Sequence, residues 1–381
     1  MTLATPRSPE PRRPRTRGRL LTFGLVAVFL GLAALEAGAR LIEVWVPPHP
    51  VDYGMGFQAD SHLFVPSSDD PTQMVTSGSK QASFRMQRFS RVKAPGTLRI
   101  AALGGSSVLF LDAEFDLLTE RLPARTKRFD RVEIINAGGL SYGTHRLVPI
   151  LVELLEYDLD LILIYSGHNE FEEAEQLSLV EDSTVALPEA LSRFALYRVL
   201  RDRVIDLRIE RHRQENLRIE KTAITRARPQ YTPEQIEHRI ALYERRLAQM
   251  VRLARASDVG VIIGTVGSNL LKPSLGEHDH DELERLYLAK EYAQWADATR
   301  AAVVRSSLRG QASDLENGII RRLAASEDVP LVDIEAAVIA HEPNGIPGAT
   351  LFEDHCHLNA KGRAIWRESY EAAIVEWLAR E

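Results

Sequence analysis

Residues 98–107 have the sequence LRIAALGGSS, an apolar run of strand length that ends in a turn of small residues. Helical patterns separate it from four further apolar runs of strand length, at residues 132–137, 159–165, 259–266 and 330–334. Strands that are apolar on both faces and alternate with helices predict a five-stranded parallel sheet covered on both sides, a three-layer α/β/α domain. Functional residues of such sheets lie beyond the carboxyl ends of the strands.

The predicted domain spans residues 98–381 and contains two helical insertions, at about 186–256 and 280–325. Within the first insertion, Thr232-Pro233-Glu234-Gln235 has the pattern of an N-cap, a proline at the first helical position and a glutamine at the third. Residues 47–97 contain scattered Pro, Gly and Ser with weak periodicity, which predicts a connecting segment that wraps the domain surface.

The composition excludes several classes of protein. With 381 residues, 45% of them hydrophobic, the chain has ample material for a packed core. Its 53 acidic and 47 basic residues give a net charge of −6, which argues against a nucleic-acid partner. Cys356 is the only cysteine, so intramolecular disulfides and metal sites built on several cysteines are excluded.

The N-terminus indicates a membrane anchor. Residues 1–18, rich in Pro and Arg, predict a disordered, basic cytoplasmic tail, and residues 19–46 predict a transmembrane signal-anchor helix. Basic residues before the apolar run predict a single-pass inner-membrane protein whose C-terminal domain is extracytoplasmic, in the periplasm. A cleaved signal peptide is the alternative, because Ala37-Gly38-Ala39 resembles an A-x-A cleavage site. A buried amphipathic helix is a third, against which the basic tail argues.

Four polar blocks follow the predicted strands or precede the last helix. They are Gly104-Gly105-Ser106-Ser107, residues 136–143 (NAGGLSYG), residues 166–170 (SGHNE) and Asp354-His355-Cys356-His357. The first block lacks the Gly-Lys-Ser/Thr of a P-loop and the G-x-G-x-x-G of a dinucleotide-binding loop. In this order, the four blocks resemble those of the SGNH/GDSL hydrolase superfamily: G-D-S, a glycine loop, G-x-N-D and D-x-x-H. The best local match is to membrane-anchored bacterial members with Gly-Gly-Ser-Ser and Gly-His-Asn-Glu.

The resemblance implies a flavodoxin-like fold and a serine mechanism without a cofactor or a metal ion. It assigns Ser106 as nucleophile, His357 as general base and Asp354 as the residue that orients His357. It also implies an oxyanion hole made by the backbone N–H of Ser106, an N–H of the second block and the Asn169 amide.

Two departures leave alternatives open. The aspartate of the G-D-S block is Gly105 here, and the family's second-block glycine falls on Ser141, so Gly138 or Gly139 are alternative donors. Ser107 is the rival nucleophile. A metal site made by residues 355–357 and the HDHD run at 278–281 is disfavoured, because consecutive side chains rarely point at one ion.

These observations predict an extracytoplasmic serine esterase that forms an acyl-serine intermediate. Its substrate would be an ester-bearing small molecule, lipid or O-acylated glycan. One alternative is an O-acyltransferase for envelope polysaccharide that uses the same triad. The other is a non-catalytic scaffold of the same fold, which the altered first block favours.

Overall fold

The computed structural model describes residues 17–46, 62–126, 128–174, 191, 193–204, 207, 230–273, 275 and 280–380. Most of the predicted basic tail and the residues 278 and 279 of the HDHD run lie outside this part of the chain. The described residues fall into two compact units. One contains the N-terminal helix and the described residues between 191 and 207, and the other is the α/β body.

The predicted connecting segment contains a small antiparallel sheet that the sequence pattern did not reveal. Its strands are β1 (Phe64–Pro66), β2 (Gln73–Thr76) and β3 (Arg88–Ser90), in the order β1-β2-β3. Strands of three or four residues are too short to show a clear alternation. The Glu153 carboxylate accepts hydrogen bonds from the backbone N–H groups of Leu63 and Phe64, at 2.6 and 2.7 Å, and so holds the edge of β1.

The body is built on the predicted parallel sheet. Its five strands lie in the order β5-β4-β6-β7-β8, and every neighbouring pair is parallel. The strands are β4 (Thr97–Gly104), β5 (Arg131–Gly138), β6 (Leu161–Tyr165), β7 (Gly260–Gly264) and β8 (Leu331–Val332). The predicted fold class is therefore confirmed.

Successive residues of the strands pack into two separate apolar clusters, because strand side chains alternate between the faces of a sheet. Ala101 and Leu103 belong to one cluster, and Ile100 and Ala102 to the other. Helices Thr144–Leu154, Pro233–Ala256 and Asp314–Ser326 cover the first face. Helices Asp112–Thr126, Ile334–His341 and Ala360–Arg380 cover the second.

The insertions are helical where the structure describes them. Helix Pro233–Ala256 begins with the expected capping box, in which Thr232 accepts from the Gln235 N–H and Gln235 bonds back to the N-cap backbone. The second insertion forms helices His280–Leu288 and Tyr292–Arg305 and continues into Asp314–Ser326.

The N-terminal helix runs from Arg17 to Trp45. Its segment Thr22–Trp45, 24 residues long, is apolar and long enough to cross a membrane, and among the described helices it alone meets that test. Only 6% of this segment's most apolar window is buried, so its apolar side chains are exposed in the isolated protein.

Candidate active site

The predicted functional edge begins where β4 ends. Gly105 leads into a short helix, Ser106–Leu109, and a second helix, Asp112–Thr126, follows. Phe110 and Leu111 form a turn that separates the two helices. This tight turn places the Ser106 side chain directly beyond the carboxyl end of β4, an inner strand of the sheet.

Ser106, His357 and Asp354 form a continuous hydrogen-bonded line. The Ser106 Oγ lies 2.7 Å from His357 Nε2, and His357 Nδ1 lies 2.6 Å from Asp354 Oδ2. The structure thus brings together the three side chains that the sequence placed in one site. Of the two candidate serines, Ser106 is the one whose hydroxyl His357 contacts.

Asp354 is held in its ionised form. Burial raises the pKa of the Asp354 carboxyl, but the backbone N–H of Cys356 and the ring and backbone N–H of His357 lower it by more. The net result is a pKa well below the ordinary range of an aspartate. Oδ1 accepts the two backbone N–H groups, at 2.9 and 2.8 Å, which leaves Oδ2 to orient the imidazole.

This environment predicts the pH dependence of ester hydrolysis. Activity should fall as the solution is acidified, since only a neutral imidazole accepts the Ser106 proton. Because its pKa is lowered, the Asp354 carboxyl stays ionised at the pH values over which activity is lost. The loss of activity should therefore reflect the uptake of a single proton. A plot of log kcat/KM against pH should have an acid limb of slope one. A slope of two would mean that the Asp354 carboxylate also titrates.

The loop that carries Asp354 and His357 is fixed to the end of β7 by Asn269, a residue that sequence reasoning missed. The buried Asn269 amide donates to the Asp354 carbonyl at 2.8 Å, and its backbone N–H donates to the His355 carbonyl at 3.0 Å. The only sequence signal for this role was its place just beyond the fourth strand of the pattern.

The second block forms a tight loop after β5. The backbone N–H of Gly139 donates to the Gly104 carbonyl at 3.0 Å, and that of Gly138 donates to Asn136 Oδ1 at 2.9 Å. Both amides are engaged within the protein, which corrects the expectation that Gly139 supplies an oxyanion donor. Ser141 remains the second-block candidate, and it adopts the left-handed conformation, φ 60°, that favours the family's glycine at this position.

Asn169 lies directly against the nucleophile turn. A Cβ atom added to Gly105 would stand 2.0 Å from Asn169 Nδ2 and 3.1 Å from the Tyr142 carbonyl oxygen. The amide also donates to that carbonyl, at 3.2 Å. Asn169 therefore occupies the space that a side chain at position 105 would need.

Two buried glutamates bind the end of the second block and the first turn of the helix that follows it. Glu170 accepts from the Thr144 N–H and hydroxyl, at 2.8 and 2.7 Å. Glu173 accepts from the Gly143 N–H at 3.0 Å and forms ion pairs with Arg146 and Arg239, at 2.8 and 3.2 Å. The first-turn N–H groups of helix Thr144–Leu154 otherwise lack intrahelical partners, so these carboxylates satisfy them.

The same cluster fixes the conformation of Ser141. The Arg146 guanidinium donates to the Ser141 carbonyl, and the Ser141 hydroxyl donates to Glu172 at 2.7 Å. Burial, and then the charge of Glu173, raises the pKa of Glu170. The loop that carries Ser141 is therefore held by bonds to the Ser141 carbonyl, to the Ser141 hydroxyl and to the first turn of the following helix.

Two aromatic rings complete the surroundings of the triad. Phe110 lies edge-on to His357, with ring centroids 5.3 Å apart, and is partly exposed. His168 is buried, and its Nδ1 accepts the Ala312 N–H at 3.2 Å. Burial, and then the neighbouring His355 and His357, lower the pKa of His168 to about 3, so this ring is neutral. His168 therefore packs beside the site as a neutral neighbour of the His357 ring.

Within the described residues, one group of His, Cys and acidic side chains has donor atoms close enough for a metal ion. It consists of Asp354, Cys356 and His357. His357 and Asp354 already bond to each other and to Ser106, so the cluster belongs to the triad.

The comparisons with known proteins found structural matches only. No protein-family model matches the chain, and no curated protein matches it in sequence. Among solved structures, a GDSL-like lipase from Bacteroides thetaiotaomicron is 13% identical with a TM-score of 0.36, covering 74% of this chain and 88% of its own. An acetylxylan esterase from Geobacillus stearothermophilus is 13% identical with a TM-score of 0.39, covering 73% and 94%. The acetyl xylan esterase AlAXEase is 13% identical with a TM-score of 0.41, covering 73% and 100%.

Proposed function

We propose that this protein is a serine esterase of the SGNH type. One observation carries the proposal: the hydrogen-bonded line from Asp354 through His357 to Ser106. A serine hydroxyl becomes a competent nucleophile when a neutral imidazole takes its proton, and the imidazole needs a partner that fixes its tautomer. A non-catalytic scaffold would not require these two hydrogen bonds.

The reaction follows from the positions of the groups. Ser106 Oγ attacks the ester carbonyl carbon while His357 Nε2 takes the hydroxyl proton, and the imidazolium then gives that proton to the leaving alcohol. The resulting acyl-serine is cleaved by water, which His357 activates in the same way. The developing oxyanion is stabilised by the backbone N–H of Ser106 and of Ser141 and by the Asn169 amide. That amide carries two hydrogens, so the bond to Tyr142 leaves one for the substrate.

The N-terminal helix supports a place at the membrane. Segment Thr22–Trp45 would span the inner membrane once, and the basic residues before it would keep the N-terminus in the cytoplasm. The body would then act on esters outside the cytoplasm, where lipids and O-acylated glycans are candidate substrates.

The test is an assay of the full-length protein in detergent with 4-nitrophenyl acetate. Release of nitrophenol, and labelling of Ser106 by a fluorophosphonate identified by peptide mass, would support the esterase. Adding an oligosaccharide acceptor separates hydrolysis from transfer, because a transferase would move the acetyl group onto the sugar. Neither nitrophenol release nor labelling would overturn the enzyme proposal and favour the scaffold.

A further inference from the structure

The first insertion contributes a helix to the same compact unit as the N-terminal helix. Residues 195–204 are helical, and residues 191–207 cluster with the N-terminal helix, not with the α/β body. This segment has no role in the proposed chemistry, but it makes two polar contacts with the N-terminal helix.

Glu36, which lies within the candidate membrane span, caps this insertion helix. Its carboxylate oxygens accept the backbone N–H groups of Ala195 and Leu196, each at 3.0 Å, and Glu36 also pairs with Arg40 at 2.9 Å. A carboxylate in a membrane helix is costly unless it has such partners. The cap therefore explains how the span tolerates Glu36.

A second contact lies two helical turns further along the N-terminal helix. Arg198 donates from Nε and Nη2 to the two carboxylate oxygens of Glu43, at 2.7 and 2.6 Å. Between the two acids, Ala39 is buried, as is Ala195 on the insertion helix. Small residues allow two helices to pack closely, and the bidentate pair fixes their register.

The opposite side of the insertion helix is apolar and exposed. Leu200, Val204 and Leu207 recur at helical spacing and are 59%, 48% and 71% exposed. By helical periodicity Arg201 and Arg203 lie on the two flanks of this stripe. Arg203 is exposed, whereas the Arg201 side chain is only 9% exposed and pairs with Asp202 at 2.8 Å. An apolar stripe bordered by arginines is typical of a helix that lies in a membrane interface.

The depth of the contacts agrees with that position. A hydrocarbon layer of ~30 Å needs about 20 helical residues, so a span that starts at Leu20, the first residue of the apolar run, leaves the layer near Ala39. Glu36 then lies roughly 5 Å inside the boundary, at a rise of about 1.5 Å per residue. Interfacial helices bury their apolar face by about 5–10 Å.

We propose that the insertion helix, described at residues 195–204 and at Leu207, is an interfacial helix that rests in the surface of the bilayer beside the membrane-spanning helix. Leu200, Val204 and Leu207 enter the acyl-chain region. The stripe belongs to the same compact unit as the span, whose apolar side chains are also exposed, and this makes the bilayer the occupant of the stripe. The inference rests on the proposed membrane anchoring and adds a second lipid contact to it.

The test places a fluorophore at single cysteines of the full-length protein in phosphatidylcholine and phosphatidylglycerol vesicles. Leu200→Cys reports on the insertion helix, Leu41→Cys on the span, and the exposed Met86→Cys on the body. Cys356 is buried, and labelling of the unsubstituted protein controls for it. We expect lipids with brominated acyl chains to quench the fluorophore at positions 200 and 41 and not at position 86.

The outcomes separate the two levels of the proposal. Quenching at position 41 without quenching at 200 would overturn the interfacial helix and leave the anchor standing, with a protein partner as the occupant of the stripe. Absence of quenching at 41 would overturn the anchor and the inference together, while esterase activity of the same samples tests the chemistry separately. Glu36→Gln combined with Glu43→Gln should reduce quenching at 200 and leave position 41 unchanged. Unchanged quenching at 200 would contradict docking through the two acids.

Discussion

Ser106→Ala is expected to lower kcat/KM for an ester by about 10⁴- to 10⁶-fold, because the alanine variant has no nucleophile for His357 to activate. His357→Ala should cost about as much, since an unassisted serine hydroxyl is a poor nucleophile. The double variant should lose little more than either single one, because the two residues act as a unit. Steady-state hydrolysis of 4-nitrophenyl acetate measures all three.

The matched control is Ser107→Ala, which removes the adjacent hydroxyl and leaves the Ser106–His357 hydrogen bond in place. We expect activity close to that of the unsubstituted protein. If Ser107→Ala were the inactive variant, the nucleophile would be Ser107. Losses that multiply in the double variant would contradict a shared proton-transfer step.

Gly105→Ala is expected to lower kcat by ~10²- to 10³-fold, the usual cost of losing one oxyanion donor. The added methyl group would stand 2.0 Å from Asn169 Nδ2, so the amide must leave the position from which it can bond the oxyanion. Gly105→Asp should be at least as damaging, although it introduces the residue that the family's G-D-S block has there. The displaced atom is the end of the Asn169 side chain, so we expect only a small change in the thermal unfolding midpoint.

Gly78→Ala is the matched control, because no atom lies within 4 Å of an added Cβ at that position. Asn169→Ala should reproduce the loss seen in Gly105→Ala, and combining the two should add almost nothing, since both remove the same donor. Full activity in Gly105→Ala would show that Asn169 does not serve the oxyanion. A multiplied loss in the double variant would show that Gly105 acts by another route.

The parallel sheet and the triad could be predicted because their signals are local. Strands such as Leu161–Tyr165 are apolar on both faces, and the reactive side chains directly follow strands or precede a helix. The geometry of parallel strands then brings those residues to one edge. The capping box at Thr232 is equally local, since its partners are three residues apart.

The parts that escaped prediction depend on contacts between distant residues. Asn269 fixes the Asp354 loop from 85 positions away, and Glu173 reaches Gly143 across 30. Neither residue carries a pattern of its own. Gly139 was a reasonable donor by spacing, but its N–H is used by the Gly104 carbonyl, which only the packing of β4 against β5 reveals. Strands β1 to β3 have only three or four residues, too few to show an alternating pattern in the sequence.

The separation of the triad along the chain has a consequence for biogenesis. Ser106 and His357 are 251 positions apart, and the helix that follows His357 packs Trp366, Tyr370 and Ile374 onto the sheet. A chain that is still being synthesised therefore carries the candidate nucleophile long before it carries the candidate base. Under the proposed function, esterase activity would begin only when residues 354–380 have been made and have docked. The unfinished polypeptide would be unable to hydrolyse esters.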